Sequence, residues 1–111
     1  MKEIIKIDDF LKLDIRAGEV IRAEKVEGAD KIIKLMVDFG EFKRTVLTGM
    51  AEFYEPDFFV GKKFPFLVNL EPRKMFGQES EGMIMAVDNG SDSKPVLIEL
   101  EGGALNGSVV R

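Results

Sequence analysis

A short stretch in the second half of the chain carries residue types that bind polyanions. Arg73 and Lys74 place a planar donor fork and a mobile point charge side by side, directly after Pro72. The apolar runs at 64–68 and 83–87 predict strands on either side, so the pair is expected in the connecting loop. Adjacent cations in a loop suit phosphate groups, and we expect both to project from one rim.

Polar and flat apolar side chains surround this basic pair. Asn69 and Ser80 supply hydrogen-bond donors and acceptors, while Phe76 and Met83 supply surface on which a base could stack. The alternative is structural: Asn69 ends a strand, Ser80 bonds its own loop and Met83 packs in the core. Taken alone, these residues fit the structural alternative better than the binding site.

Composition argues against catalysis. The chain has no His and no Cys, so it lacks an imidazole base, a thiolate nucleophile and the usual ligands of a zinc site. Ser91 and Lys94 match a Ser-x-x-Lys pattern, but they lie in a predicted turn. We therefore expect a noncatalytic protein that uses neither a metal nor another cofactor.

The overall charge balance is the opposite of what a nucleic-acid ligand would favour. Lys and Arg total 16 against 20 Asp and Glu, a net charge of −4. Phosphate contacts are local, however, because charges are screened within about 8 to 10 Å at physiological salt. A local basic face would therefore suffice to bind RNA phosphates. The face beside the Arg73 loop would consist of Lys31, Lys34, Lys43 and Arg44. Lys31 and Arg44 are the candidates there, and for Lys34 we favour a solvated outward position.

Apolar periodicity predicts one all-β domain over residues 1–111 with short helices. Strict alternation through Ile33, Leu35, Val37 and Phe39 is the clearest strand signal. The predicted elements follow the chain in this order: a helical turn Asp8 to Leu13, a strand from Asp14, the alternating strand and its hairpin partner Phe42 to Met50, a helix at 54–61, and strands Lys63 to Leu70, Gly82 to Val87 and Val96 to Leu100.

Individual residues refine this prediction. Gly18 is expected at a bulge or sharp bend, and Pro65 at a sheet edge or bulge because it lacks an N–H. Asn89-Gly90 is a hairpin signal. The tail 101–111 keeps Leu105 and two valines, so we expect it to pack on its own barrel or on a partner subunit.

Five or more short strands with a helix between the third and fourth fit a five-stranded Greek-key barrel of the oligonucleotide-binding (OB) type with a C-terminal extension. Pattern alone would allow other all-β folds. No apolar run approaches the length of a signal peptide or a membrane span, so we expect no membrane contact and a cytoplasmic location.

The signature residues resemble those of the tRNA-binding domain family. The match comprises Asn69-Leu70, Pro72-Arg73-Lys74, Gly77 and Ser80-x-Gly82-Met83. Upstream, Asp14 to Gly18, Ala29 to Lys31 and Arg44 to Ala51 are similar to further family motifs. The resemblance implies that Asn69, Arg73, Lys74, Ser80 and Met83 contact RNA, with Lys31 and Arg44 on the adjoining face. Glu71 stands where relatives often carry Lys, which weakens the local positive field.

The resemblance also implies a function and partners. Members of the family are noncatalytic modules that recognise the outer corner of tRNA by shape and backbone. They act as the beta subunit or C-terminal domain of methionyl-tRNA synthetase, or as stand-alone homodimers in trans. The implied partners are therefore tRNA, a second copy of the chain and that synthetase. Export-associated relatives of this fold imply the alternative, a chaperone-like peptide-binding dimer. A general single-strand binder is a third possibility, for which too few exposed aromatics are assured.

Overall fold

Strands account for nearly all the regular structure of the chain. The computed structural model describes every residue from Met1 to Arg111. The strands are β1 Ile15–Val26, β2 Ala29–Asp38, β3 Lys43–Thr48, β4 Lys63–Leu67, β5 Arg73–Met75, β6 Gln78–Ser80, β7 Met83–Ile84, β8 Ala86–Val87 and β9 Val96–Leu97. One helix, α1, covers Ile7–Phe10, and a 3-10 turn covers Pro56–Phe58. None of the helical segments has the length and apolarity that crossing a bilayer requires.

The main sheet has five strands in the order β3-β2-β1-β4-β7. β1 is shared: its first half pairs with β4 and its second half with β2, and a register shift between Val20 and Arg22 lies just after the change of partner. The sheet curls until β3 approaches β7, although no ladder joins these two strands. The predicted all-β, OB-like architecture is therefore confirmed, with a barrel left open at the seam between β3 and β7.

The interior is filled by the alternating face of each strand. Ile33, Leu35 and Val37 of β2 are fully buried, as the alternation predicts, and Phe39 continues the series. Rings from β4 and from the 3-10 turn region complete the core: Phe59, Phe64 and Phe66. Because inward residues alternate with outward ones, the outer face of the same strands remains available for a ligand.

Gly18 has a packing role that sequence reasoning misassigned. The bulge expected there lies instead between Val20 and Arg22. A Cβ on Gly18 would lie 2.5 Å from Val37 Cγ1, 2.6 Å from Phe39 Cε1 and 3.0 Å from Phe66 Cδ1. Glycine is required because three buried side chains occupy the space that a side chain would need.

Pro65 lies at a local edge of the sheet, one of the two predicted options, because the β4–β7 ladder does not reach it; no bulge interrupts the register of β4 with β1. β4 stands between β1 and β7, and its register with β1 is continuous. On the other side of β4, Met85 N–H donates to the Pro65 carbonyl at 3.0 Å. An N–H on residue 65 would point to that same side of β4. β7 ends at Ile84, which pairs with Phe66, so no strand residue there would accept a hydrogen bond from residue 65. The missing N–H of Pro65 therefore costs the sheet little stability.

Several predicted elements are shorter in the structure. The helix expected over Asp8 to Leu13 ends at Phe10, and the segment 54–61 forms only the single 3-10 turn. Asn89-Gly90 is part of a long connection between β8 and β9, so it is not the two-residue turn that the dipeptide predicts. Gly90 N–H there donates to Asp88 Oδ1 at 2.9 Å, a side-chain contact that closes a local turn without pairing strands.

The C-terminal tail packs on its own barrel, as one of the two predicted options. Val109 forms a bridge with Arg16, and Val110 N–H donates to the Ile15 carbonyl at 2.8 Å. Arg16 donates from Nε to Asp14 Oδ1 at 2.8 Å. This hydrogen bond, together with the charge of Asp14, raises the pKa of Arg16 above its ordinary value. The tail thus extends β1 on the side that β2 leaves free.

Candidate nucleic-acid interface

The segment expected as an irregular loop between β4 and β7 is a β-hairpin. β5 and β6 pair through Arg73 with Ser80, Lys74 with Glu79 and Met75 with Gln78. The hairpin stands between the fourth and fifth strands of the barrel. OB folds use the loop at this position, together with the face of the second and third strands, to bind nucleic acids.

The two cations of the hairpin point in opposite directions. Arg73 and Lys74 are consecutive strand residues, and successive side chains of a strand alternate between its faces. Arg73 shares its face with buried Ser80, so it faces the barrel, whereas Lys74 lies on the outer face opposite Glu79. The prediction that both project from one rim is wrong, because the segment is a strand and not a turn.

Arg73 lines an open depression at the base of the hairpin. The depression has a volume of about 430 Å³ and is bordered by residues of the hairpin and of its connections to the barrel: Leu70, Glu71, Pro72, Arg73, Ser80, Gly82 and Met83. The four ion pairs of the chain involve other residues, so the charges of Arg73 and Lys74 are not neutralised by direct contact. Both side chains are exposed and free to meet a ligand.

Ser80 bridges the open seam of the barrel. It is only 3% exposed, and its Oγ accepts a hydrogen bond from Leu47 N–H of β3 at 3.0 Å. The same hydroxyl donates to the Gly82 carbonyl at 3.0 Å. Since both functions of the hydroxyl are used within the fold, Ser80 positions the hairpin against β3.

Arg44 bridges the same seam. It lies opposite Val37 on the inward-facing row of β3, and its Nη1 donates to the carbonyls of Val68 and Glu81, each at 3.1 Å. Its guanidinium also lies 4.9 Å from the Phe42 ring centroid. The outward position predicted for Arg44 is wrong, because the side chain connects three segments at the end of the barrel.

Asn69 anchors the chain that leads into β1. Its Oδ1 accepts from Asp14 N–H at 2.8 Å, and its Nδ2 donates to the Lys12 carbonyl at 2.7 Å. Both ends of the amide are therefore engaged by residues far away in sequence. The residue is nevertheless exposed, and a contact between Asn69 and RNA stays a prediction.

Lys31 and Met83 have different surroundings. Lys31 Nζ lies 3.9 Å from Glu52 Oε1, in a weak and solvent-exposed ion pair that does not involve the hairpin. Met83 is 43% exposed and borders the Arg73 depression, so it is well placed to contact a ligand there. Of the seven predicted residues, the structure thus brings Arg73, Ser80 and Met83 together, with Lys74 behind them.

Met83 also borders a second, more apolar groove. This groove of about 600 Å³ runs over the ends of β3 and β7 and is lined by Thr48, Gly49, Met50, Met83, Ile84, Met85, Ala86, Val87, Asp88 and Pro95. Three of its residues are methionines, whose flexible thioethers adapt to differently shaped apolar ligands. The Arg73 depression and this methionine groove share Met83 as a lining residue.

Sequence reasoning missed two functional features. Glu81 completes the seam, since its Oε1 accepts from Thr45 N–H at 3.2 Å and its N–H donates to the Thr45 carbonyl at 2.8 Å. The hairpin tip, Phe76-Gly77, was also missed as a turn. Gly77, at the second position of a two-residue turn between Met75 and Gln78, is the signal that could have revealed this turn.

Charges on the outer face of β2 and β3 are mixed. Lys34 lies in register with Glu24 of β1, and Lys43 lies in register with Asp38. Lys43 is exposed, and Lys34 is half-buried at the outward position favoured for it. A carboxylate beside each lysine weakens its attraction for phosphate. Arg73 and Lys74 of the hairpin make no ion pair, and Arg73 has no carboxylate in register with it, whereas Lys74 lies opposite Glu79.

Taken together, these observations define an OB-type barrel whose fourth-to-fifth-strand connection carries an exposed cationic hairpin, which is the architecture of a nucleic-acid-binding module. The model of the family described as "Putative tRNA binding domain" matches residues 15–109. The chain belongs to this family, a noncatalytic module that is also found within methionine–tRNA ligases.

Curated relatives of the chain include methionine–tRNA ligases. That of Clostridium tetani is 44% identical over 110 residues, which are 99% of this chain and 17% of the relative. That of Archaeoglobus fulgidus is 48% identical over 100 residues, covering 90% of this chain and 15% of the relative. The chain thus spans only about a sixth of the length of these enzymes.

Solved structures of similar size show the same fold. A MetRS-related protein from Pyrococcus horikoshii is 40% identical, with a TM-score of 0.94, and the match covers 99% of this chain and 100% of that one. The chaperone CsaA from Bacillus anthracis is 27% identical, with a TM-score of 0.88 and coverage of 98% and 100%. Relatives of this chain therefore include proteins described by two different functions.

Proposed function

We propose that this chain binds tRNA at the β5–β6 hairpin and recognises the outer corner of the folded molecule by shape and backbone. The observation that carries the proposal is the position of Arg73. It is a guanidinium without an ion pair, in an open depression, on the connection that OB folds use for nucleic acids. Membership of the tRNA-binding domain family supports tRNA as the ligand.

Two cations on opposite faces of the hairpin suit an RNA backbone with several phosphates better than a single phosphate. Because Arg73 and Lys74 lie on the two faces of the hairpin, they would meet different phosphates, one inside the depression and one outside. Their spacing then selects a particular arrangement of the RNA backbone. The carboxylates of the acidic protein body repel polyanions that do not fit, which limits nonspecific binding.

Removing both cations is expected to abolish most tRNA binding. We expect Arg73→Ala combined with Lys74→Ala to lower affinity about 10- to 100-fold while leaving the fold intact, at about 1.4 kcal/mol for each factor of ten. The slope of log affinity against log salt should become shallower by about 0.7 to 0.9 for each phosphate that the protein no longer neutralises. Titration of fluorescent tRNA at several salt concentrations measures both quantities.

A charge-matched control separates this site from net charge. Lys25→Ala combined with Lys62→Ala removes the same number of charges away from the hairpin, and affinity should change less than about twofold. Changes in the β8–β9 connection, Ser91→Ala and Asp92→Ala, should likewise have little effect. If the hairpin double variant binds tRNA like the parent, the site is rejected.

We also propose that the protein acts as a homodimer through an apolar face at one end of the barrel. The segment before β1 and the tail beside it expose a series of large aliphatic side chains: Ile4, Ile5, Ile7, Leu11, Leu13, Leu105 and Val109. Leu105 is 72% exposed, and Val109 lies next to β1 through its bridge to Arg16. Exposed aliphatic side chains on neighbouring segments are typical of a protein interface, and a second copy would cover them symmetrically.

Charging this face should separate the two copies. We expect Leu11→Glu combined with Leu105→Glu to shift the mass measured by light scattering from that of two chains to that of one, because a dimer would bury both carboxylates. The control is Val87→Glu, an equally apolar exposed position on β8, which pairs with β9 and not with the tail. A monomeric parent protein would overturn the dimer, and so would a double variant that keeps the mass of two chains.

A chaperone-like role is the second candidate, favoured by the methionine groove. Its soft apolar lining suits an extended peptide, and a protein described as a chaperone shares the fold closely. Titration with an unfolded polypeptide, beside tRNA, distinguishes the two functions. RNA binding should weaken steeply with salt, whereas burial of apolar side chains in the groove should not.

The link to methionine–tRNA ligases suggests how tRNA binding would be used. A module that is attached to such an enzyme, or associates with it in the cytoplasm, raises the effective concentration of tRNA near the active site. This proposal requires no catalysis by the chain itself, which contains neither His nor Cys. Addition of the chain to a ligase that lacks this module should lower the KM for tRNA.

A further inference from the structure

The tip of the β5–β6 hairpin holds an aromatic residue in an unfavourable backbone conformation. Phe76 and Gly77 connect the pair Met75 and Gln78, with φ angles of +52° and +75°. A two-residue turn with positive φ at both positions strongly prefers Asn or Asp followed by Gly. Gly77 fits this preference, whereas a bulky residue such as Phe76 is strained in the left-handed region.

Neither core packing nor an aromatic pair within the chain compensates for this strain. The Phe76 side chain is 61% exposed and lies outside the core cluster. The aromatic pairs of the chain involve other rings, among them Phe39 with Phe42 and Tyr54 with Phe58. A strained residue whose side chain lies mostly in solvent is best explained by a contact outside the chain.

The surroundings of the ring indicate the chemistry of that contact. Arg73 and Lys74 lie two or three residues before it in the same hairpin, one on each face, and neither is neutralised by an ion pair. A flat apolar ring flanked by cations matches an unpaired nucleotide, which offers a π face with a phosphate beside it. An apolar pocket of a protein partner would match the ring but would leave both cations unused.

We propose that Phe76 is a stacking residue: its ring packs on one unpaired base of the bound RNA, while Arg73 and Lys74 hold phosphates on either side of the hairpin. The inference rests on the proposed tRNA binding and adds a contact that depends on an unstacked base. The duplex parts of the RNA would then be recognised by charge and shape, and a loop base by the tip.

The test removes the ring without disturbing the turn. F76N places a residue that favours the left-handed conformation at this position, so the hairpin should be at least as stable as in the parent protein. We expect tRNA affinity to fall about 5- to 100-fold, the range found when a stacked aromatic residue is replaced. The salt slope should stay unchanged because no charge is removed, unlike in the Arg73 and Lys74 variants.

A second variant reports stacking directly. The chain contains no Trp, so F76W introduces a single tryptophan at the tip, whose emission can be excited selectively. We expect F76W to bind tRNA within about threefold of the parent, with its emission quenched on binding. The control F58N removes a different exposed ring, on the 3-10 turn, and should leave affinity unchanged.

The outcomes separate this inference from the proposal on which it rests. If the parent protein does not bind tRNA, the proposed function fails. If the parent binds and F76N binds equally well, only the stacking role is overturned. The role is also overturned if F76N keeps its tRNA affinity but loses binding to the unfolded polypeptide, which would assign the tip to a protein ligand.

Discussion

Gly18→Ala is expected to lower the free energy of unfolding by about 2 to 4 kcal/mol, a large effect for the addition of one methyl group. The new Cβ would lie 2.5 Å from Val37 Cγ1 and 2.6 Å from Phe39 Cε1. Neither neighbour can move away easily, because Val37 is a stiff β-branched residue and Phe39 packs edge-on against Phe66. Urea denaturation followed by circular dichroism measures the change.

The chain offers a matched control at Gly49. A Cβ there would meet nothing within 4 Å, and the backbone does not have the positive φ that favours glycine. Gly49→Ala should therefore change stability by no more than about 0.5 kcal/mol. Equal effects of the two substitutions would show that Gly18 is not required by the packing of Val37, Phe39 and Phe66.

Arg44→Ala is expected to cost about 2 to 3 kcal/mol of stability, because hydrogen bonds to charged groups contribute more than neutral ones and two carbonyls would be left without their donor. The guanidinium bonds Val68 and Glu81 at 3.1 Å each, where no strand ladder joins β3 to β7. Arg44→Lys should recover only part of the stability, since an ammonium lacks the planar fork.

The same variants decide whether Arg44 also contacts RNA. If its charge serves only the seam, the salt slope of tRNA binding should be unchanged in Arg44→Lys and Arg44→Ala. A slope that becomes shallower by about 0.7 to 0.9 in Arg44→Ala would indicate a phosphate contact. The neighbouring Lys43→Ala is the control, because Lys43 lies exposed on the outward face and should affect stability by about 0.5 kcal/mol or less.

Ser80 and Arg44 have structural roles where sequence motifs predicted RNA contacts, and both differences have the same cause. Ser80 and Arg44 carry hydrogen-bonding groups that suit RNA, and sequence cannot show whether a group is already engaged. Ser80 bonds a residue 33 positions away, and the two carbonyls that Arg44 bonds lie 24 and 37 positions away. Which groups become hydrogen-bond partners over such separations depends on how the strands of the barrel pack together.

The conformation of the hairpin was likewise not predicted from the sequence. Pro72 and Gly77 predict a turn-rich loop, but three residue pairs of β5 and β6 make it a ladder. That change of conformation sends Arg73 and Lys74 to opposite faces, so a two-cation rim becomes a hairpin with a cation on each face. Phe76 at its tip acquires its positive φ from the same turn.

By itself, the sequence determined the strands of the main sheet and the family. The alternation of Ile33, Leu35 and Val37 predicts the buried face of β2, and the signature from Asn69 to Met83 predicts the family, because both depend on residues that are close in the chain. Only the tertiary structure decided which polar groups form hydrogen bonds across the barrel seam and which remain available to a ligand. That division depends on contacts between segments distant in the chain, and local patterns carry no information about those contacts.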